Sequence, residues 1–304
     1  MWSRSVCLFL VGLAIAAAQP SSESALERGL SLFSDGRFSE AEPLLRQAAV
    51  TRPESFEARL ALGATLARLK YPGQAIEQLQ AAHHLRPAHL DALKLLAAQY
   101  IIDRQYVQAI SLLSQVRTRD EEVYLLLIQA YQASGDTNTS FATAEQAVAR
   151  FPSSAQINCW MGFQLQFSGR YEDARGYLEK ALRLDPEYPA TYYILGEALL
   201  KQQKARDSIP YFERAIELDA DDTDARMALS QAWTGAGELP KALEILEAAE
   251  KSSPENAHVH FLLSRILFRL GNEGRAQEEA NLSLRYRNNE AEMPNIPAAL
   301  RQDR

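Results

Sequence analysis

A pattern of small, apolar and turn-forming residues recurs eight times between Ser22 and Glu290, with a period of 34 residues, and it constrains the fold more than any single residue does. The clearest copy runs from Ala155 to Tyr188, with Met161, Gly162, Leu165, Gly169, Tyr171, Ala174, Leu178, Ala181 and Pro186 at fixed offsets. A small residue holds the eighth place as Gly29, Gly63, Ala97, Gly162, Gly196, Ser230 and Ser264, and only Ile128 breaks the run. Alanine holds the twentieth place as Ala41, Ala75, Ala109, Ala174, Ala242 and Ala276, with Ser140 and Ser208 as small substitutes. A proline closes the unit at Pro53, Pro87, Pro152, Pro186 and Pro254.

Within each unit, two stretches carry apolar side chains at three- and four-residue spacing. Leu62, Leu66 and Leu69, followed by Ala75, Ile76, Leu79 and Ala82, have the period of amphipathic helices. Each unit is therefore expected to be a helical hairpin. The small residues let its two backbones approach, and the proline stops the second helix. One hairpin cannot bury its apolar face, so neighbours must stack and share a core.

These spacings resemble the tetratricopeptide repeat family, whose unit is a 34-residue helix-turn-helix. The resemblance implies an all-α fold, a right-handed α-solenoid over 22–290. Its repeats fall near 22–55, 56–89, 90–120, 121–154, 155–188, 189–222, 223–256 and 257–290. The third unit is three residues short, lacks the proline and ends in Arg117-Thr118-Arg119-Asp120, which is where any hinge is expected. The eighth has Asn288 in place of proline. Residues 291–304 are a carboxy-terminal cap or a tail, with Ile296 to Leu300 as the segment able to fold back.

Residues 1–18 read as a secretory signal peptide: Arg4, the apolar run Val6 to Ala18, and small residues Ala16, Ala17 and Ala18 before Gln19. The expected location is periplasmic or secreted, most simply a bacterial envelope. Membrane contact is expected only if the segment stays uncleaved as an anchor. Cleavage removes one basic residue and moves the formal charge from −7 to −8. An acidic chain is a poor binder of polyanions, so nucleic acid is not an expected partner. Of the two cysteines only Cys159 remains in the mature chain, which excludes an internal disulfide.

Chemistry-bearing motifs are absent: no His-Glu-x-x-His, no phosphate loop, no paired Cys-x-x-Cys. His83, His84 and His89 cluster at a unit junction, but the adjacent pair point to different faces, and they read as solvated loop histidines rather than metal ligands. His258 and His260 read as surface and packing residues. Asp221, Asp222 and Asp224 mark a helix start. No basic neighbour activates Cys159, which reads as an apolar packing residue. The chain is expected to be no enzyme and to carry no cofactor and no metal.

The resemblance also implies that the first helix of each unit lines a concave face. Its groove-facing places hold Leu60, Ala61, Ala64, Ala67, Lys94, Leu95, Ala98 and Ile101 in the amino-terminal units. The middle units supply Gln129, Gln132, Cys159, Trp160, Phe163, Gln166, Phe167, Tyr193 and Glu197, and the last ones Met227, Gln231, Phe261, Arg265, Phe268 and Arg269. The family's carboxylate clamp is absent, since its places hold Leu26, Leu30, Leu60, Ala61 and Ala64. Trp160, Phe163 and Phe167 share one helix face and are either an exposed aromatic patch or interior packing. Glutamines at 129, 132, 166 and 231 favour the groove, because an amide can hold a peptide backbone. The expected function is a scaffold gripping a peptide or helical segment of a protein partner in an apolar and glutamine-lined groove. The alternative is a structural accessory subunit of an envelope enzyme or assembly complex, contacting its partner by the convex or edge surface.

Overall fold

The computed structural model describes residues 24–287 and Leu300. Its sixteen α-helices form consecutive pairs. These are α1 (Ala25–Ser34) with α2 (Phe38–Thr51), α3 (Phe56–Arg68) with α4 (Pro72–Leu85), α5 (Leu90–Ile102) with α6 (Tyr106–Ser114), and α7 (Glu121–Ser134) with α8 (Thr137–Arg150). There follow α9 (Ala155–Phe167) with α10 (Tyr171–Leu184), α11 (Pro189–Lys201) with α12 (Ala205–Leu218), α13 (Thr223–Gly235) with α14 (Leu239–Ser252), and α15 (Ala257–Arg269) with α16 (Glu273–Arg287). No strand occurs among the described residues. The fold is all-α, of the repeat-solenoid class. The segment 1–18 expected to be a signal peptide, and the expected cap or tail at 291–304 apart from Leu300, lie outside the described residues; Leu300 is buried.

The start of most first helices is written in the last residue of the preceding unit; α11 instead begins on Pro189 after Tyr188, whose side chain makes no capping bond. Ser55, Asp120, Ser154, Asp222 and Asn256 are N-caps whose side chains accept a backbone N–H of the first turn. Ser24 adds a reciprocal bond from its own N–H to Glu27 at 2.8 Å. His89 Nδ1 accepts from the Ala92 N–H at 3.3 Å, so this histidine is a cap, and its ring lies 4.6 Å from Phe56. His83 and His84 belong to the last turn of α4. His83 and His84 are helical rather than loop residues, because α4 continues to Leu85, whereas His89 stands in the connection that precedes α5.

First helices end alike. The residue at the fifteenth place turns left-handed and its N–H bonds three residues back, while the next N–H reaches five residues back, as in Gly169 to Gln166 at 2.9 Å and Arg170 to Leu165 at 2.9 Å. This satisfies the last carbonyls of the first helix while the chain reverses into the second. The eighth place then meets the partner helix: a Cβ on Gly162 would stand 2.5 Å from Leu178 Cγ, and one on Gly196 would stand 2.7 Å from Phe212.

The described chain divides into two compact units, one ending at Ser140 and one beginning at Phe141. In the first, Leu45, Leu62, Leu66, Leu79, Leu95, Leu96 and Leu113 are fully buried. Each contributes roughly 1.5–3 kcal/mol of burial. The shortened third turn, with α6 only 9 residues long, lies inside this unit. The second unit is built on Trp160, Leu178 and Phe212, with a further cluster around Leu246, Leu263 and Ile266.

Candidate functional site

In the second unit α9 packs on both α10 and α11, and this decides the fate of the aromatic stripe. Trp160 is 1% and Phe163 4% exposed, edge to face with ring centroids 5.7 Å apart. They are interior residues, because the sixth and ninth places of α9 fall between the packed helices. Phe167, in the last turn, remains 46% exposed, 6.4 Å from Phe163. The stripe is therefore a buried stack with one exposed end.

The amide places behave similarly. Gln129 and Gln132 of the first unit and Gln166 of the second are buried, while Gln231 is exposed. Burial leaves Gln129 Oε1 and Gln166 Oε1 without a partner. Gln166 Nε2 donates to Glu197 Oε2 at 3.2 Å, joining α9 to α11. Burial pushes the Glu197 carboxyl up against the attraction of Lys201 and hydrogen bonds from Gln166 and Tyr193. Tyr193 is buried, with its ring 5.9 Å from that of Phe212. Arg265 and Arg269 are exposed on α15 beside Phe261 and Phe268, the latter 65% exposed, and the Arg265 guanidinium lies 5.7 Å from the Phe261 ring.

In the first unit, Leu60, Ala61, Ala64, Leu95 and Ile101 are core residues. Lys94 is held by Glu122 at 2.7 Å, Asp120 at 2.9 Å and Asp91 at 3.7 Å, so its charge is locally neutralised. Cys159 is buried, and burial pushes its thiol up to about 12, which removes the thiolate at neutral pH.

Glu250, His260 and Glu279 form the one group of three metal-ligating side chains among the described residues, their ligand atoms all within 4.8 Å. His260 Nδ1 faces Glu279 Oε2 at 2.7 Å and Nε2 faces the Pro254 carbonyl at 2.8 Å. Burial works to lower the imidazole pKa, and the bonds to Glu279 and the Pro254 carbonyl outweigh it and raise it. Arg275 adds positive charge, 3.7 Å from Glu279 and 3.8 Å from Glu250. The group forms an ion-pair network, buried at His260 and Glu279 and open to water at Glu250 and Arg275. Its position explains it. Side chains at the fourth place repeatedly donate to the carbonyl that closes the preceding unit: Arg59 to Pro53, Asn158 to Pro152, Tyr192 to Pro186, Arg226 to Ala220, and His260 to Pro254. The sequence reading treated His260 as ordinary packing. The signal that marks it is polarity at that place, shared by side chains of four different types.

Models of the tetratricopeptide repeat family match residues 26–89, 165–222 and 195–254, and a second tetratricopeptide repeat model matches 234–295. Anaphase-promoting complex subunit 7 of Arabidopsis thaliana is 31% identical over 139 residues, covering 45% of this chain and 25% of that protein. Anaphase-promoting complex subunit 3 of Schizosaccharomyces pombe is 22% identical over 200 residues, covering 63% and 28%. The chain spans about a quarter of the length of these relatives. The solved hetero-tetramer Cut9–Hcn1 of the same complex superposes with a TM-score of 0.66 at 16% identity, over 94% of this chain and 57% of that one, a likeness of fold alone.

Proposed function

The chain belongs to the tetratricopeptide repeat family, and on that premise we propose that it is a non-catalytic scaffold that binds a segment of a protein partner along the first helices of its second unit. The observation that carries this is the residue set left exposed there. Phe167, Phe261 and Phe268 keep large apolar surface in water, and Gln231, Arg265 and Arg269 are exposed as well, whereas Trp160, Phe163 and Tyr193 are buried. Exposed aromatic and arginine side chains are the types that dominate binding energy at protein interfaces. The binding face is thus aromatic and arginine-edged, with Gln166 supporting from within.

Peptides selected from a random library against the full chain, measured by calorimetry, test this. Phe261→Ala with Phe268→Ala is expected to weaken their binding at least tenfold. Unchanged affinity removes the assignment of the face.

A second reading is favoured by the curated relatives, which are named as subunits of a large assembly. In it the chain is an accessory subunit, and the contact is made by second helices of the first unit, where Val50 and Val107 are exposed. Copurification with an assembly that survives the double phenylalanine substitution, and is lost with Val50→Asp and Val107→Asp, distinguishes it. The signal pattern at 1–18 supports export to a periplasm or the extracellular space. A mature protein whose amino terminus is Gln19 is the expected finding, and an intact terminus in the cytoplasm overturns export.

A further inference from the structure

We propose that Glu197, Gln166 and Tyr193, on the wall formed by α9 and α11, make a subsite for a basic side chain of the bound segment, an arginine in preference to a lysine. This rests on the peptide-binding reading above and adds the chemistry of one contact. Gln166 is 2% exposed, and its Nε2 is used by Glu197 while its Oε1 has no partner. Turning the amide over would set Oε1 against the carboxylate, so the free acceptor is held facing away from Glu197. Glu197 itself receives only neutral donors, the Gln166 amide and the Tyr193 hydroxyl. Lys201, one turn along α11, attracts it from a distance, and no ion pair to Glu197 forms among the described residues.

The surroundings add negative potential rather than relieve it. Asp224, in the first turn of α13, acts on both Glu197 and Tyr193, and the helix-capping Asp222 acts on Tyr193 as well. A partly buried carboxylate with no cation, held by a buried amide, asks for a ligand that brings positive charge and several N–H groups. A guanidinium meets that description. Its planar N–H fork can serve both oxygens of the Glu197 carboxylate, which Gln166 Nε2 and the Tyr193 hydroxyl hold in place. An ammonium supplies the charge but not the flat face. The chain's net charge of −7 also favours approach of a basic segment.

The test selects random displayed peptides in parallel against the full chain and against Glu197→Gln. That substitution keeps the side chain's size and removes a poorly compensated charge, so folding is retained, as a melting temperature no lower than the parent's will verify. Peptides selected by the parent are expected to carry arginine or lysine at one fixed position. Replacing that residue by norleucine should weaken binding at least tenfold to the parent and less than twofold to Glu197→Gln. Selected peptides with no basic residue at a fixed position, or equal losses on both proteins, overturn the subsite and leave the peptide-binding reading standing. Enrichment that is abolished by millimolar magnesium or calcium, and not by equal ionic strength of sodium, reassigns the carboxylate to an inorganic cation and also overturns it. Recovery of no peptide at all overturns the peptide-binding reading itself, and this assignment falls with it.

Discussion

At the fifteenth place of each hairpin one residue holds φ between 60° and 86°. In five hairpins it is glycine, at Gly36, Gly135, Gly169, Gly237 and Gly271, and in the others Lys70, Arg104 and Gln203 adopt the same left-handed backbone. For a residue with a Cβ that conformation costs about 1–2 kcal/mol. Glycine avoids the clash but loses up to about 1 kcal/mol in chain entropy on folding. Gln203→Gly is therefore expected to stabilise by roughly 0.5–1 kcal/mol, and with Lys70→Gly, far away in the chain, the gains should add. Urea denaturation midpoints measure this, and a loss would mean that the glutamine side chain contributes more than its backbone costs. The raised thiol predicts silence at Cys159: iodoacetamide at pH 8 should leave Cys159 unmodified in the folded protein and label it fully in denaturant. Gly169 was visible in the sequence as part of the repeat. Its left-handed duty was not, because lysine, arginine and glutamine hold the same turn, with no chemical trace of the strain.

Helix against helix, the eighth place decides how close a hairpin closes. Gly162→Ala gains up to about 1 kcal/mol of helix propensity, yet its Cβ would press on Leu178 at 2.5 Å and on the Ala174 carbonyl at 3.3 Å. Overpacking of this kind costs about 1–3 kcal/mol, so a net destabilisation is expected. Gly176→Ala, on α10 with nothing within 4 Å, should instead stabilise by roughly 0.5–1 kcal/mol. Thermal melts of the two variants should move in opposite directions. The pair of helices α15 and α16 carries the pH-sensitive contact. Burial alone would lower the His260 pKa, but the hydrogen bonds to Glu279 and the Pro254 carbonyl, with Glu250 nearby, raise it. A raised pKa in the folded state means the contribution is complete below the unfolded value, near 6.5, and is lost as the pH climbs through the folded one. Above it, a lone pair replaces the N–H facing Glu279, whose carboxylate is left with Arg275 at 3.7 Å. Amide protection of α16, corrected for intrinsic exchange, should fall as the pH rises above about 6.5, and His260→Gln should flatten the dependence. Periodicity alone foretold the hairpins and their close-contact glycines. The His260 contact needed two residues 19 apart on different helices, and nothing in a single 34-residue copy announces that pairing.

Across the whole chain the repeated places are occupied by packing, and the site was correspondingly harder to read than the fold. Trp160 and Phe167 share a helix face, and only the packing of α10 and α11 against α9 separates the buried ring from the exposed one. On α15, Phe261 and Phe268 stay exposed while Leu262, Leu263, Ile266 and Leu267 of the same helix are buried. In an array of this kind each hairpin is stabilised by itself and its immediate neighbours, so stability should be graded along the chain rather than uniform. Helix α16 has only Ala276 and Glu279 buried, one of them a carboxylate, whereas α12 buries Ser208, Ile209, Phe212 and Ala215 with neighbours on both sides. At roughly 1.5–3 kcal/mol for each large apolar side chain withdrawn from water, the terminal helix lacks most of what holds α12. Its opening should cost less than unfolding the rest of the second unit. Native-state hydrogen exchange at pH 6, where the His260 contact is intact, is expected to show amides of α16 exchanging at least tenfold faster than those of α11 and α12. Equal protection would mean that the second unit opens as one cooperative block, and that the ion-pair network around His260 compensates for the apolar surface α16 does not bury.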